Sequence, residues 1–218
     1  MFKVIKLLVV LSVLSGFCTG VYAATVTTLV KNDKGKPVED AVVYVVAKSK
    51  AARKAAKRGV IDQVDKEFVD YVTVVKVGTP ISFPNHDQIR HHVYSFSKPK
   101  TFEIPLYLGT PAKPVIFNKP GVVVLGCNIH DWMSAYIYIT DTSYFGITDK
   151  QGNASIKNLP AGKYNVKVWH PQLRGNSDAT AQSVALSASS RKNVNINIKQ
   201  RRLWSVRRAP TMVGGTYR

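Results

Sequence analysis

The chain has 218 residues, with 31 Lys and Arg against 13 Asp and Glu and a formal charge of +18. This length suits one medium domain or two small ones. The positive field favours acidic partners and anionic surfaces, and the export signal at the N-terminus takes nucleic acid out of the expected partners.

Residues 1–23 read as a secretory signal peptide. Lys3 and Lys6 form its positive end, Leu7 to Leu14 its apolar stretch, and Val21-Tyr22-Ala23 a small-x-small cleavage site before Ala24. The apolar run is shorter than the ~20 residues of a spanning helix. Cys18 follows Phe17 rather than a small residue, which argues against lipidation. The expected location is therefore periplasmic or secreted, with an uncleaved membrane anchor as the alternative. The mature part carries +16 once Lys3 and Lys6 are removed, and Cys127 is its lone cysteine. It has no internal disulfide, and an unpaired thiol in an oxidising compartment is either buried or used.

The mature part reads as all-β. Thr25 to Val30 alternates, Asp33-Lys34-Gly35-Lys36-Pro37 is a turn, and Ala41 to Val46 is a β-branched run. Lys48 to Arg58 is rich in Ala and Lys and predicts a short basic helical insertion closed by Gly59. Its plain role is a solvated surface. Its functional role is a docking patch for an acidic redox partner or a peripheral membrane contact.

Strands are predicted next over Phe68 to Val77, Ile81 to Phe83, Val93 to Phe96, Phe102 to Leu108, Val115 to Phe117, Gly121 to Leu125 and Ala135 to Thr140. Beyond Thr148 the character changes. Short strands are expected at Ala154 to Ile156, Tyr164 to Trp169 and Lys192 to Ile198. The turns Thr148 to Gly152 and Leu159 to Gly162 punctuate them. Many short strands with regular turn signals predict a β-sandwich or barrel. Residues 199–218 form an Arg-rich tail expected to be disordered.

The chemistry concentrates in Cys127-Asn128-Ile129-His130-Asp131-Trp132-Met133. Its C-x2-H-x2-M spacing places a thiolate, an imidazole and a thioether on one loop between two strands. Soft sulfur with imidazole suits copper, and two histidines, one cysteine and a weak methionine make a blue-copper set. The second histidine must come from elsewhere. Phe83 to Val93 supplies His86, His91 and His92 just before a strand. Strand alternation lets only one of His91 and His92 face the ion, and His86 reads as a loop residue. Cys127 with His130 as a nucleophile–base pair lacks a third orienting group, and nothing else in the sequence identifies an enzyme.

With these residues in view, the stretch from Thr25 to Trp169 resembles the cupredoxins. The loop is similar to the short ligand loop of amicyanin. Gly126 to Met133 with His91 to Ser97 resembles exported cupredoxin-like proteins grouped under methylamine utilisation. The resemblance implies a Greek-key sandwich over 24–141 and one copper ion cycling between Cu(I) and Cu(II). It implies Cys127 as thiolate ligand, His130 as the histidine at the electron exit, Met133 as axial ligand and His91 as the remaining histidine, with His92 the alternative. His92 stands where such proteins carry an asparagine that ties the ligand loops together. An acidic redox partner is implied, such as a cytochrome or a quinoprotein dehydrogenase, with Ile129 and Trp132 as an apolar docking rim.

Residues 142–198 resemble the carboxypeptidase regulatory-like or prealbumin-like β-sandwich. A similar Gly-x-Pro signature stands at Gly35-Lys36-Pro37, so strands within 25–46 are candidates for sharing with that module. Trp169-His170-Pro171 reads as a structural corner. The rival functions are copper storage or delivery without electron turnover, in which His86 and His92 serve an open site, and a metal-free β-sandwich that binds carbohydrate or a partner protein.

Overall fold

The computed structural model describes residues 23–47 and 58–201. The expected signal peptide, the basic insertion up to residue 57 and the tail from residue 202 lie outside the described residues. The strands are, in order, β1 (Ala24–Asn32), β2 (Val42–Ala47), β3 (Gly59–Val60), β4 (Asp62–Val64), β5 (Glu67–Val69) and β6 (Val72–Lys76). They continue with β7 (Thr79–Ser82), β8 (His91–Ser97), β9 (Lys100–Tyr107), β10 (Val115–Phe117), β11 (Gly121–Gly126) and β12 (Ser134–Thr140). The last are β13 (Phe145–Ile147), β14 (Asn153–Leu159), β15 (Gly162–Trp169), β16 (Gln182–Leu186) and β17 (Arg191–Ile198). A single 3-10 turn at Ser177–Thr180 is the only helical element among the described residues.

Two sandwiches result, each around its own core. In the first, the sheet β6-β12-β11-β8-β9 faces the sheet β10-β7-β3. Alternate residues of these strands turn inward, so Val75, Ile81, Val93, Phe117, Val123, Leu125, Ile137 and Ile139 share one core. Cys127 and Met133 belong to that core. This is an all-β sandwich of two sheets around one core, the class that the sequence implied. In the second, the sheet β14-β1-β17 covers the sheet β13-β2-β15-β16. The N-terminal strands β1 and β2 are thus hydrogen-bonded to C-terminal strands, and β1 runs parallel to β17 from Thr25↔Arg191 to Asn32↔Ile198.

The strand β2 explains how the sandwiches meet. Val43 and Val45 enter the core of the second sandwich, while Val42 and Tyr44 join Val72 in a separate buried cluster. A strand buried on both faces reads as a continuous apolar run rather than an alternating one. Around it lies an aromatic seam. Tyr138 stands 5.3 Å from Tyr44 and 5.1 Å from Trp169 between ring centroids. Trp169, expected as a corner, is a contact between the two sandwiches.

The expected strand from Phe68 to Val77 is broken at Asp70 and Tyr71. The reason lies in pairing. β5 folds back on β4, whereas β6 runs parallel to β12. Lys199 to Arg201 are also held rather than loose. The Arg174 amide donates to the Lys199 carbonyl at 2.7 Å, and the Arg201 amide to the Gln172 carbonyl at 2.7 Å.

Candidate metal centre

Three elements bring the candidate ligands together. The strand β11 ends in Gly126 and delivers Cys127. The loop from Cys127 to Met133 closes on itself through the Met133 amide, which donates to the His130 carbonyl at 2.9 Å. The start of β8 supplies His91 from the neighbouring strand.

His91, Cys127 and His130 present donor atoms that all lie within 4.8 Å of one another. The Cys127 Sγ is 3.9 Å from His91 Nδ1 and 3.8 Å from His130 Nδ1. A thiolate and an imidazole held about 2.3 and 2.1 Å from one ion at ~120° stand about 3.8 Å apart. The spacing and donor types therefore fit one soft-to-borderline metal ion, and a His2Cys set is the copper-selecting one. Met133 is 1 % exposed and shares the buried cluster of Cys127.

The protonation pattern is set by partners. His91 is fully buried, and its Nε2 lies 2.7 Å from Asp87 Oδ2. A carboxylate there keeps the proton on Nε2 and leaves the Nδ1 lone pair facing Cys127. Burial pulls the Asp87 pKa upward, but hydrogen bonds from the Lys66 amide, His91 and the Asp65 amide outweigh it and hold the carboxyl below its usual range. For His130, burial, together with the neighbouring His91 and Lys66, lowers the pKa below the ordinary imidazole value. This shift favours the neutral ring, the form whose lone pair can bind a metal.

His92 goes elsewhere. Its Nε2 pairs with Glu103 Oε1 at 2.9 Å on β9, outside the donor cluster. His86 is 64 % exposed at its side chain and pairs with Asp62 at 2.6 Å, also outside the cluster. Trp132 lies 5.1 Å from His130 between ring centroids, the two rings tilted by 45°, and Ile129 is 48 % exposed.

Sequence reasoning missed the support beneath His91. Asn85 is buried; its side-chain amide donates to the carbonyls of Ile89 and Tyr107 at 2.9 and 3.0 Å, and its Oδ1 accepts from the Asp87 amide at 3.0 Å. These bonds shape the loop that carries Asp87 under His91. The signal available in the sequence was a carboxylate four residues before a candidate histidine ligand.

A family profile described as polysaccharide lyase family 4, domain II, matches residues 119–194, from the strands around the cysteine loop into the second sandwich. No curated protein matches. Among solved structures, the reduced Cu(I) form of an amicyanin variant is 17% identical, with a TM-score of 0.35, covering 44% of this chain and 99% of that one. A copper-containing nitrite reductase from Thermus scotoductus is 22% identical, with a TM-score of 0.37, over 53% of this chain and 28% of that one. A purple cupredoxin from Nitrosopumilus maritimus is 19% identical, with a TM-score of 0.33, over 37% of this chain and 96% of that one.

Proposed function

We propose that this chain is an exported mononuclear copper protein that carries single electrons and transforms no substrate. The observation that carries the reading is the convergence of Cys127, His91 and His130 on one buried point, with Met133 in the same core. His91, Cys127 and His130 would hold the ion, and Met133 would offer a weak thioether donor. Copper bound there supplies one-electron exchange between Cu(I) and Cu(II).

The chain's own residues do the rest. The sandwich holds both histidines and the thiol in place, so little has to reorganise when an electron arrives. Asp87 fixes the tautomer and the orientation of the His91 ring. Burial of Cys127, 4 % exposed, keeps solvent from the thiolate. His130 is the more exposed of the two histidines, and Ile129 and Trp132 flank it as an apolar rim for a partner. The positive charge of the chain would steer an acidic redox protein such as a cytochrome or a quinoprotein dehydrogenase. The N-terminal signal-like segment and the lone mature cysteine support a periplasmic or secreted location.

The test is to load the purified protein with Cu(II) and record its visible spectrum and voltammogram. A thiolate-to-copper band that disappears in Cys127→Ser, with a reversible redox wave, is expected. A band without the wave assigns the protein to copper delivery, and no copper uptake ends the metal reading.

The profile match over residues 119–194 favours a second role, carbohydrate binding by the second sandwich. Calorimetric titration with acidic and neutral oligosaccharides checks it, and heat from none of them removes it.

A further inference from the structure

The hairpin of β4 and β5 turns through Asp65 and Lys66, both with left-handed backbones at φ 55° and 61°. A two-residue turn with two positive φ values favours Asn-Gly, because a Cβ in that region costs about 1 kcal/mol. Asp-Lys is a poor choice on its own, so contacts outside the turn must sustain it.

Those contacts reach both ligand-bearing loops. The Asp65 amide donates to Asp87 Oδ1 at 2.7 Å, and the Lys66 amide to Asp87 Oδ2 at 2.9 Å. The Lys66 carbonyl accepts from Trp132 Nε1 at 3.2 Å. Asp87 Oδ2 is also the partner of His91, and Trp132 is the ring packed at a tilt beside His130. The foot of the hairpin is tied to the same His91 loop, where the Gln63 amide donates to the Pro84 carbonyl at 3.1 Å and the His86 amide to the Gln63 carbonyl at 3.0 Å. His92 is occupied by Glu103.

We propose that the β4–β5 turn is a clamp that joins the two ligand-bearing loops through the backbone of Lys66. Asp87 and Trp132 are positioning residues that act through it. The N–H of Lys66 holds the loop carrying His91, and its C=O holds the loop carrying Cys127 and His130. The clamp rests on the copper reading for its purpose, which is to keep the donors at their spacing before an ion arrives.

The experiment compares the full chain with Asp87→Asn, Trp132→Phe, the double variant and Lys66→Gly. In the metal-free protein, NMR follows hydrogen exchange at the Lys66 amide and at the His91 ring N–H. In the copper-loaded protein, a competing chelator measures copper release. Trp132→Phe keeps an aromatic ring beside His130 and lies on the opposite loop from His91. It is expected to speed exchange at both reporters about tenfold. Asp87→Asn is expected to raise copper release about 10–100-fold. The double variant is expected to fall short of the product of the single effects, because both act on one turn. Lys66→Gly keeps both backbone bonds and is expected to match the parent.

Unchanged His91 exchange in Trp132→Phe overturns the clamp, as do multiplying effects in the double variant or a large effect of Lys66→Gly. If Asp87→Asn does not fold, Trp132→Phe still decides the matter. If no copper is bound, the copper reading fails alone, and the metal-free exchange rates still judge the clamp.

Discussion

His92 and Glu103 meet across the β8–β9 pairing, with His92 Nε2 2.9 Å from Glu103 Oε1, while the adjacent His91 stands 3.9 Å from Cys127 Sγ. Neighbouring residues of a strand point to opposite sides, so the two histidines have separate tasks. His91→Ala is expected to abolish the visible copper band, and His92→Ala to retain it. Copper titrations of both variants by absorbance check this, and the reverse pattern would move the ligand assignment to His92.

Gly126 lies opposite Tyr94 in the sheet. A Cβ on Gly126 would come within 2.8 Å of the Tyr94 ring tip. Gly126→Ala must therefore displace that ring, at an expected cost of about 1–3 kcal/mol. The same alanine in a Tyr94→Ala background no longer meets that ring and is expected to cost less. Urea unfolding of the four proteins gives the cycle. Equal losses in both backgrounds would place the strain elsewhere.

Burial raises the Tyr107 pKa to about 12, with the Gln63 hydrogen bond opposing and the nearby Cys127 adding to the shift. The folded state thus keeps a proton that the unfolded chain loses near pH 10. The contribution is intact below pH 10 and is lost as pH rises toward 12, by at most about 1.4 kcal/mol per pH unit. Tyr107→Phe is expected to flatten this alkaline slope. It also removes the bond to the Phe83 carbonyl at 2.7 Å, so its stability at pH 7 falls. Urea midpoints from pH 8 to 12 read both effects, and an unchanged slope would show that Tyr107 titrates normally.

Trp169 contacts Tyr138 and Tyr136 at 5.1 and 6.0 Å between ring centroids, across the line where the sandwiches meet. Trp169→Ala is expected to cost about 2–4 kcal/mol. Because each sandwich has its own core, the loss should fall on their coupling. Calorimetry should show one transition in the parent and two in the variant. A single transition at lower temperature would mean that the seam is not what joins them.

The metal loop was legible because its chemistry is local. Cys127, His130 and Met133 lie within seven residues, and a loop between two β-runs must bring such neighbours close. Strand character was legible for the same reason, since alternation in β1 or β15 is written residue by residue. The broken strand at Asp70 was not, because the residues on either side are equally suited to β-structure and only their different partners separate them.

By itself, the sequence determined the all-β class, the donor chemistry of the Cys127 loop and a short set of histidines that could complete it. The tertiary structure decided which histidine stands beside the thiol, since that depends on the strand facing Glu103 on one side and Cys127 on the other. It decided that β1 and β2 join strands more than a hundred residues away, because a half-buried strand is completed by whichever apolar face reaches it. It also revealed the Lys66 backbone between Asp87 and Trp132. A peptide group carries no side-chain signature, so no reading of residue types could have found it.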